Sequence, residues 1–399
     1  MDRSRARGGP QALRYNLLTE RMLRLVSFLL LVGVASSGAA QTPLPIPPVP
    51  AIAAKSWLLL DYQSQQLIAS ANAEERADPA ALTKLMTAYV AFDAIRQKRI
   101  WLTQPLPVSA KAAKIPGARM FLVQDRLATV DELLRGLIVT AANDAAIALA
   151  EGIAGSEEAF VQEMNVLARQ HAMAGTHFAN ATGLLDPANF STAADLARLA
   201  SAVLREFPEF LPLYDQRDLT YNGISQPNRN LLLGRDPNID GLSIGQSDSA
   251  GYCMIATARR EHRRLIAVVL GAASESVRAI DAQKLLNYGF QYYDTVRLYE
   301  KGATVAELRV WKGSEETLKA GFDYDLYVAV PRGQSGLIKA SLESKQPIIA
   351  PVGRMQPVGV LKLTFNGKPM AEYPVVALES VTVANLFGRA WDTLRLLFK

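Results

Sequence analysis

Residues Asp78-Pro79-Ala80-Ala81-Leu82-Thr83-Lys84-Leu85-Met86-Thr87 decide how this chain is read. The apolar spacing from Leu82 to Gln97 predicts a helix. Positions 81 and 84 are three residues apart and so share one helical face. Thr83, two steps on from position 81, is turned about 200° away. A methyl group at 81 therefore stands on the same face as the ammonium group of Lys84.

Regular elements extend outward from this stretch. Ser56-Trp57-Leu58-Leu59-Leu60-Asp61-Tyr62 and residues 66–70 form an expected hairpin across Gln63-Ser64-Gln65. Apolar residues recur at helical period in 131–152, 157–171 and 192–205. Asp131 followed by Leu133, Leu134, Leu137 and Ile138 is a clean helix start. Strands are expected at 252–259 and 264–270, joined through the charged turn Arg260-Glu261-His262, and a helix near 279–290 closes a first unit. From Val296 to Val381 the pattern changes to short alternating runs, as in Ala306, Leu308 and Val310. Asn366-Gly367 after Leu361–Phe365 signals a tight hairpin. This second unit is expected to be a small all-β domain without chemistry of its own. In the last segment Val383, Leu386, Phe387, Ala390, Trp391, Leu394, Leu397 and Phe398 fall on one helical face. The segment is too short and too charged to span a membrane, and it suits a helix lying in a membrane surface. Packing of that helix on the β domain is the alternative.

A chain of 399 residues suggests two folded units, and 49% hydrophobic residues suffice for a core. The net charge of +5 does not indicate a nucleic-acid partner. Six arginines fall within residues 1–24 against Asp2 and Glu20, so the leader carries +4 and the body is near neutral. Arginines, the apolar run Leu25–Ala35 and the small residues Ser36, Gly38, Ala39 and Ala40 read as an export signal ending near Ala40. Translation starts at Met1 or at Met22, and an uncleaved anchor is the alternative to cleavage. Pro43, Pro45, Pro47, Pro48 and Pro50 imply a stiff linker. Cys253 is the one cysteine and, in an apolar stretch, is expected to be a buried structural thiol. His171, His177 and His262 lack metal-ligand spacing, so neither metal nor other cofactor is expected.

The stretch 78–84 resembles the Asp-Pro-Ala-Ser-Leu-Thr-Lys segment of the low-molecular-mass penicillin-binding proteins, the serine-type D-alanyl-D-alanine carboxypeptidases. The resemblance continues through Lys55–Asp61, Gly117–Phe121, Ala142–Ala145, Asp240-Gly241, Ala250–Tyr252 and the closing helix. It implies an α/β (α+β) architecture: an antiparallel sheet with helices on both faces, a β domain and a surface helix. The expected divisions are 1–40 signal peptide, 41–52 linker, 53–292 peptidase-like domain, 293–381 β domain and 382–399 helix.

The family works with three motifs. In Ser-x-x-Lys the serine attacks and the lysine takes its proton; here the pair reads Ala81 and Lys84. In Ser-x-Asn the serine relays protons and the asparagine holds the substrate amide; here it reads Ala141-Ala142-Asn143. In Lys-Thr-Gly the lysine supplies charge and the threonine binds the terminal carboxylate; here it reads Ser243-Ile244-Gly245, followed by Gln246. No other Ser-x-x-Lys exists in the chain. Loss of a hydrolase nucleophile typically costs about 10⁶ in turnover. The resemblance also places an oxyanion hole at the backbone N–H groups of Ala81 and Gln246. It makes Arg278 the candidate for holding a peptide carboxylate, with a plain ion pair as the alternative. Lys84, Asn143 and Asp144 are then expected to make a polar cleft, with a retained structural role as the alternative for Lys84. For the terminal helix, Leu386, Phe387, Trp391, Leu394 and Phe398 are the expected membrane-facing residues.

These losses point to a catalytically inactive relative in the periplasm, held at the inner-membrane surface. It would bind peptidoglycan pentapeptide stems or organise cell-wall enzymes. A residual or active carboxypeptidase that trims those stems is the alternative, and a scaffold binding through its β domain is a third reading.

Overall fold

The computed structural model describes residues 46–385 together with 391, 392 and 395. The export signal at 1–40, and Leu386, Phe387, Leu394 and Phe398 of the terminal helix, lie outside the described residues.

A five-stranded antiparallel sheet forms the centre of the first domain. Its order is Gln66–Ala71, Ser56–Asp61, Arg263–Ala272, Gly251–Arg260 and Ile239–Ser247. The expected hairpin at 56–70 and the strand pair across Arg260-Glu261-His262 are both present. The strands 252–259 and 264–270 alternate toward two apolar clusters, because successive side chains point to opposite faces. Cys253 points into the first cluster, fully buried.

Helices cover both faces. On one, Lys84–Arg96 is buried along almost its whole length among Val130–Val139, Asn143–Ala154, Glu157–Gln170 and Ala193–Glu206. On the other, Glu275–Tyr292 lies against the sheet, with Gly289 letting Leu265 and Leu59 approach its backbone. Segment 46–52 is docked rather than free. Ile46, Val49 and Ile52 pack on the second cluster, and the Pro47 and Ala51 carbonyls accept from Tyr288 Oη and Lys284 Nζ.

The sequence pattern at 131–152 corresponds to two helices instead of one. Val130–Val139 starts on a capping box between Thr129 and Glu132. It stops at Thr140, and Ala141 takes φ 55°. The chain restarts as Asn143–Ala154. Alanine is a strong helix former, so the periodicity runs through the break without a signal.

The second domain is all-β. Tyr293–Tyr299 pairs with Leu326–Pro331. A six-stranded sheet has the order Ile338–Ser344, Pro357–Phe365, Lys368–Ala377, Thr317–Gly321, Thr304–Trp311, Ile348–Ile349. Asn366 (φ 48°) and Gly367 (φ 75°) make the turn that their sequence signals. This domain encloses its own core, built on Leu308, Phe322, Val328 and Leu361. Beyond it, Asp392 accepts from the Lys312 backbone N–H at 2.6 Å, and Trp391 is 60% exposed with Arg395 over its ring.

Candidate active-site cleft

The cleft forms where three chain segments reach the edge strand Ile239–Ser247. The first is the 3-10 turn Ala80–Thr83, which leads into the Lys84 helix. Asp78 fixes the entry, since its carboxylate accepts from Ala80 N, Ser247 Oγ and Ser249 Oγ. Ala80 takes φ 46°, and its carbonyl is pressed by Gly183. A Cβ on Gly183 would lie 1.8 Å from that oxygen. Gly245 brings the edge strand equally close. A Cβ there would stand 3.1 Å from Ala81 N and 3.0 Å from Leu82 N. Two glycines distant in sequence thus wedge position 81 between the strand and the 180–184 loop.

Lys84 is 5% exposed. Its Nζ donates to the Thr182 carbonyl at 2.6 Å. Burial pulls its pKa down from 10.5 to about 7, and the Arg229 charge pulls the same way against Asp144. Lys84 is therefore near half-neutral at pH 7. Thr83, as the helical angle requires, faces elsewhere and its Oγ1 accepts from Asn189 Nδ2.

The second segment is the Thr140–Ala142 break. It presents Ala141 to the cleft and starts the next helix with Asn143. The Asn143 backbone N–H donates to Ala118 O, and its side-chain Nδ2 donates to Pro116 O at 2.7 Å. Asp144, fully buried, accepts from the Met120 and Leu122 backbone N–H groups at 3.0 Å each. These bonds hold the 116–122 loop as a wall.

The third segment is the strand itself with the Glu275 helix behind it. Ser243 and Ile244 line a pocket with Ala81, Lys84 and Ala141, while Gly245 and Gln246 line the wider cleft. Ile244 also packs on the second apolar cluster. Arg278 is 2% exposed, with Nη1 on Gly245 O at 3.1 Å and Nη2 on Glu275 at 2.8 Å. It forms part of the wall, and its ion pair is buried on the arginine side.

The cleft encloses ≈620 Å³. Nine of the ten residues that the sequence singles out for the cleft line one or both of these contiguous cavities; the tenth, Asp144, is fully buried outside them, its carboxylate taken up by the Met120 and Leu122 amides. Sequence reading missed Arg229, an exposed guanidinium in the cleft wall, and Thr182, Tyr214 and Asn230. Thr182 and Asn230 reach the site on loops and Tyr214 at the end of the short helix Leu211–Tyr214, all distant in sequence from the motifs, and no local pattern marks them. Among the described residues, no group of three His, Cys, Asp or Glu side chains is placed to hold a metal ion.

Two family models match most of the chain. Residues 42–274 match the D-alanyl-D-alanine carboxypeptidase model, and residues 293–383 match the C-terminal domain of penicillin-binding protein 5. The chain is 36% identical to the D-alanyl-D-alanine carboxypeptidase DacC of Escherichia coli over 393 residues, covering 96% of this chain and 97% of that protein. It is 39% identical over 378 residues to DacD of the same organism, covering 92% and 97%. Penicillin-binding protein 5 from Haemophilus influenzae is similar in structure, with TM-score 0.81 at 34% identity over 85% of this chain and all of that one.

Proposed function

Since this chain belongs to the D-alanyl-D-alanine carboxypeptidase family of low-molecular-mass penicillin-binding proteins, acting in cell-wall metabolism, we propose that it is a catalytically inactive member that binds peptidoglycan stem peptides without cleaving them. One observation carries this reading. A methyl group, Ala81, stands in the cleft beside the buried Lys84, where an attacking hydroxyl is required. The changes at Ala141 and at Ser243-Ile244 remove a proton relay and a positioned charge from the same cavity. The cleft nevertheless offers ≈620 Å³ and a wall with polar side chains, which supports binding over simple decay.

The test has two arms. The wild-type protein is expected to release no D-alanine from a pentapeptide and to give no covalent, denaturation-resistant band with a fluorescent penicillin, while binding the pentapeptide reversibly. Release at the relatives' rates sinks the proposal. The combined reversion Ala81→Ser, Ala141→Ser, Ser243→Lys, Ile244→Thr is expected to acquire both activities, because the frame around those positions is intact.

The second reading is a residual carboxypeptidase. It is favoured by the retained Lys84, whose lowered pKa suits a general base. A penicillin adduct on the wild type would select it. We further propose that the protein is exported to the periplasm and lies on the inner membrane through its terminal helix, supported by the apolar face from Val383 to Phe398 and the exposed Trp391. A chain ending at Val381 is expected to leave the membrane fraction; its continued sedimentation with membranes refutes the anchor.

A further inference from the structure

The lining of the main cleft carries three cations, Lys84, Arg229 and Arg278, against two carboxylates, Asp248 and Glu275. Two of the cations are committed. Lys84 is buried and donates to the Thr182 carbonyl. Arg278 is buried too, and its Nη1 and Nη2 are engaged by Gly245 O and the Glu275 carboxylate. Arg229 differs from both. It is exposed, and its guanidinium has no hydrogen bond or ion pair among the described residues. Its charge nonetheless reaches the other two cations. Burial comes first in lowering the pKa of Lys84 and of Arg278, and the Arg229 charge adds to the fall in each. Like charges around one cavity repel, and an anionic guest relieves that repulsion.

The backbone on either side of Arg229 is fixed. Asn228 N donates to Arg217 O at 2.7 Å, and Asn228 Nδ2 donates to Gln216 O at 2.9 Å. Asn228 Oδ1 accepts from Asn230 N, and Asn230 Oδ1 accepts from Leu232 N. The guanidinium therefore projects from a held loop, which lowers the ordering cost when a ligand engages it. No carboxylate of the lining quenches it. Glu275 is engaged by Arg278, and Asp248, in the turn after the edge strand, makes no ion pair with Arg229. Ser243 and Ile244 on that strand carry no charge that could hold an anion instead.

We propose that Arg229, rather than Arg278, holds the terminal carboxylate of the bound peptide, so that the cleft selects stem peptides with a free C terminus over stems whose terminal carboxyl is locked in an amide bond. The inference deepens the stem-binding reading given above and rests on it. A guanidinium makes two parallel bonds to a carboxylate, which a neutral amide cannot match. The same event changes the protonation of the cleft. Lys84 is already buried, so a ligand removes little further water from it, whereas a carboxylate beside Arg229 brings negative charge close. Lys84 therefore takes up a proton as the peptide binds. The other groups facing it do not compete for that proton. The Asp144 carboxylate is held by the Met120, Leu122 and Ala145 amides, Arg278 and Glu275 compensate each other, and burial keeps the Tyr214 hydroxyl protonated.

The experiment is titration calorimetry on the full chain with a pentapeptide ending in D-alanyl-D-alanine, as the free acid and as its C-terminal amide. At pH 7 the acid is expected to bind about tenfold or more tighter than the amide. Arg229→Gln, which has no partner in the fold to lose, is expected to weaken the acid by about that factor and to leave the amide unchanged. At pH 8, where free Lys84 is mostly neutral, the acid titrated in phosphate and in Tris is expected to show uptake of about half a proton or more, and Lys84→Met is expected to abolish that uptake. An Arg229→Gln protein that keeps the full preference for the acid overturns the proposal and leaves stem binding intact. Equal binding of acid and amide by the wild type, or a loss in Arg229→Gln shared equally by both peptides, does the same. Binding of the acid without proton uptake also overturns it, because the carboxylate then lies away from Lys84. A wild type that binds neither peptide refutes the stem-binding reading itself, and the inference falls with it.

Discussion

Replacing Lys84 by methionine tests the electrostatics of the cleft directly. The lysine sits in the core with its pKa drawn from 10.5 to about 7. At about 1.4 kcal/mol per pH unit, that difference destabilises the fold by about 5 kcal/mol when the ammonium is protonated. The sign follows from proton binding. In the pH window between about 7 and 10.5 the unfolded chain holds a proton that the folded chain has released, so stability rises with pH. The penalty is complete below pH 7 and gone above 10.5. Methionine has similar length and no charge, and it forfeits only the bond to Thr182 O, worth about 1.5 kcal/mol. Lys84→Met is therefore expected to be more stable than wild type by about 3 kcal/mol at pH 6. The gain shrinks as pH rises and changes sign near pH ~9, where the remaining penalty equals the lost hydrogen bond. Urea unfolding of both proteins from pH 6 to 10 measures this. A difference that does not vary with pH, or a wild type stabilised by acid across the window, refutes a buried lysine of lowered pKa.

Gly183→Ala places a Cβ 1.8 Å from the Ala80 carbonyl at φ 72°, and is expected to cost about 3 kcal/mol or more in urea unfolding. Gly223→Ala, at φ 75° with no atom within 4 Å, is its control and is expected to cost only about 1–2 kcal/mol; equal losses would show that φ alone matters. Asp144→Ala strips the partners from the buried Met120 and Leu122 amides and is expected to cost about 3 kcal/mol. Faster hydrogen exchange at those two amides should accompany the loss, and unchanged exchange would mean that the loop is held by other contacts.

The sequence by itself determined what belongs to side-chain identity and local period. The methyl group at Ala81 is a fact of one residue, as is the uncharged side chain of Ser243. Two of the four strand pairs of the central sheet, 56–61 with 66–71 and 251–260 with 263–272, and the Asn366-Gly367 turn were legible because alternation and turn chemistry act over a few residues. The helix from Leu82 was legible too, apart from its first turn, which tightens to a 3-10 turn under Asp78 and Gly183.

Other features were decided only by the tertiary structure. The break at Thr140–Ala142 is invisible in an alanine-rich stretch, yet it is what brings Ala141 into the cleft. The carbonyl that engages Lys84 lies 98 residues away, at Thr182. Arg278 reads equally as a surface cation or a carboxylate clamp until its burial against Gly245 is known. Tyr214 and Asn230 carry no pattern at all, and only packing brings them to Lys84. A pKa and a cavity are properties of converging segments. Periodicity and spacing report which face of an element a residue takes, whereas long-range packing decides what that face meets. Ala81 is the clearest case. The chain specifies the methyl group, and the fold supplies the buried lysine, the close glycines and the open cleft that give its presence a functional meaning.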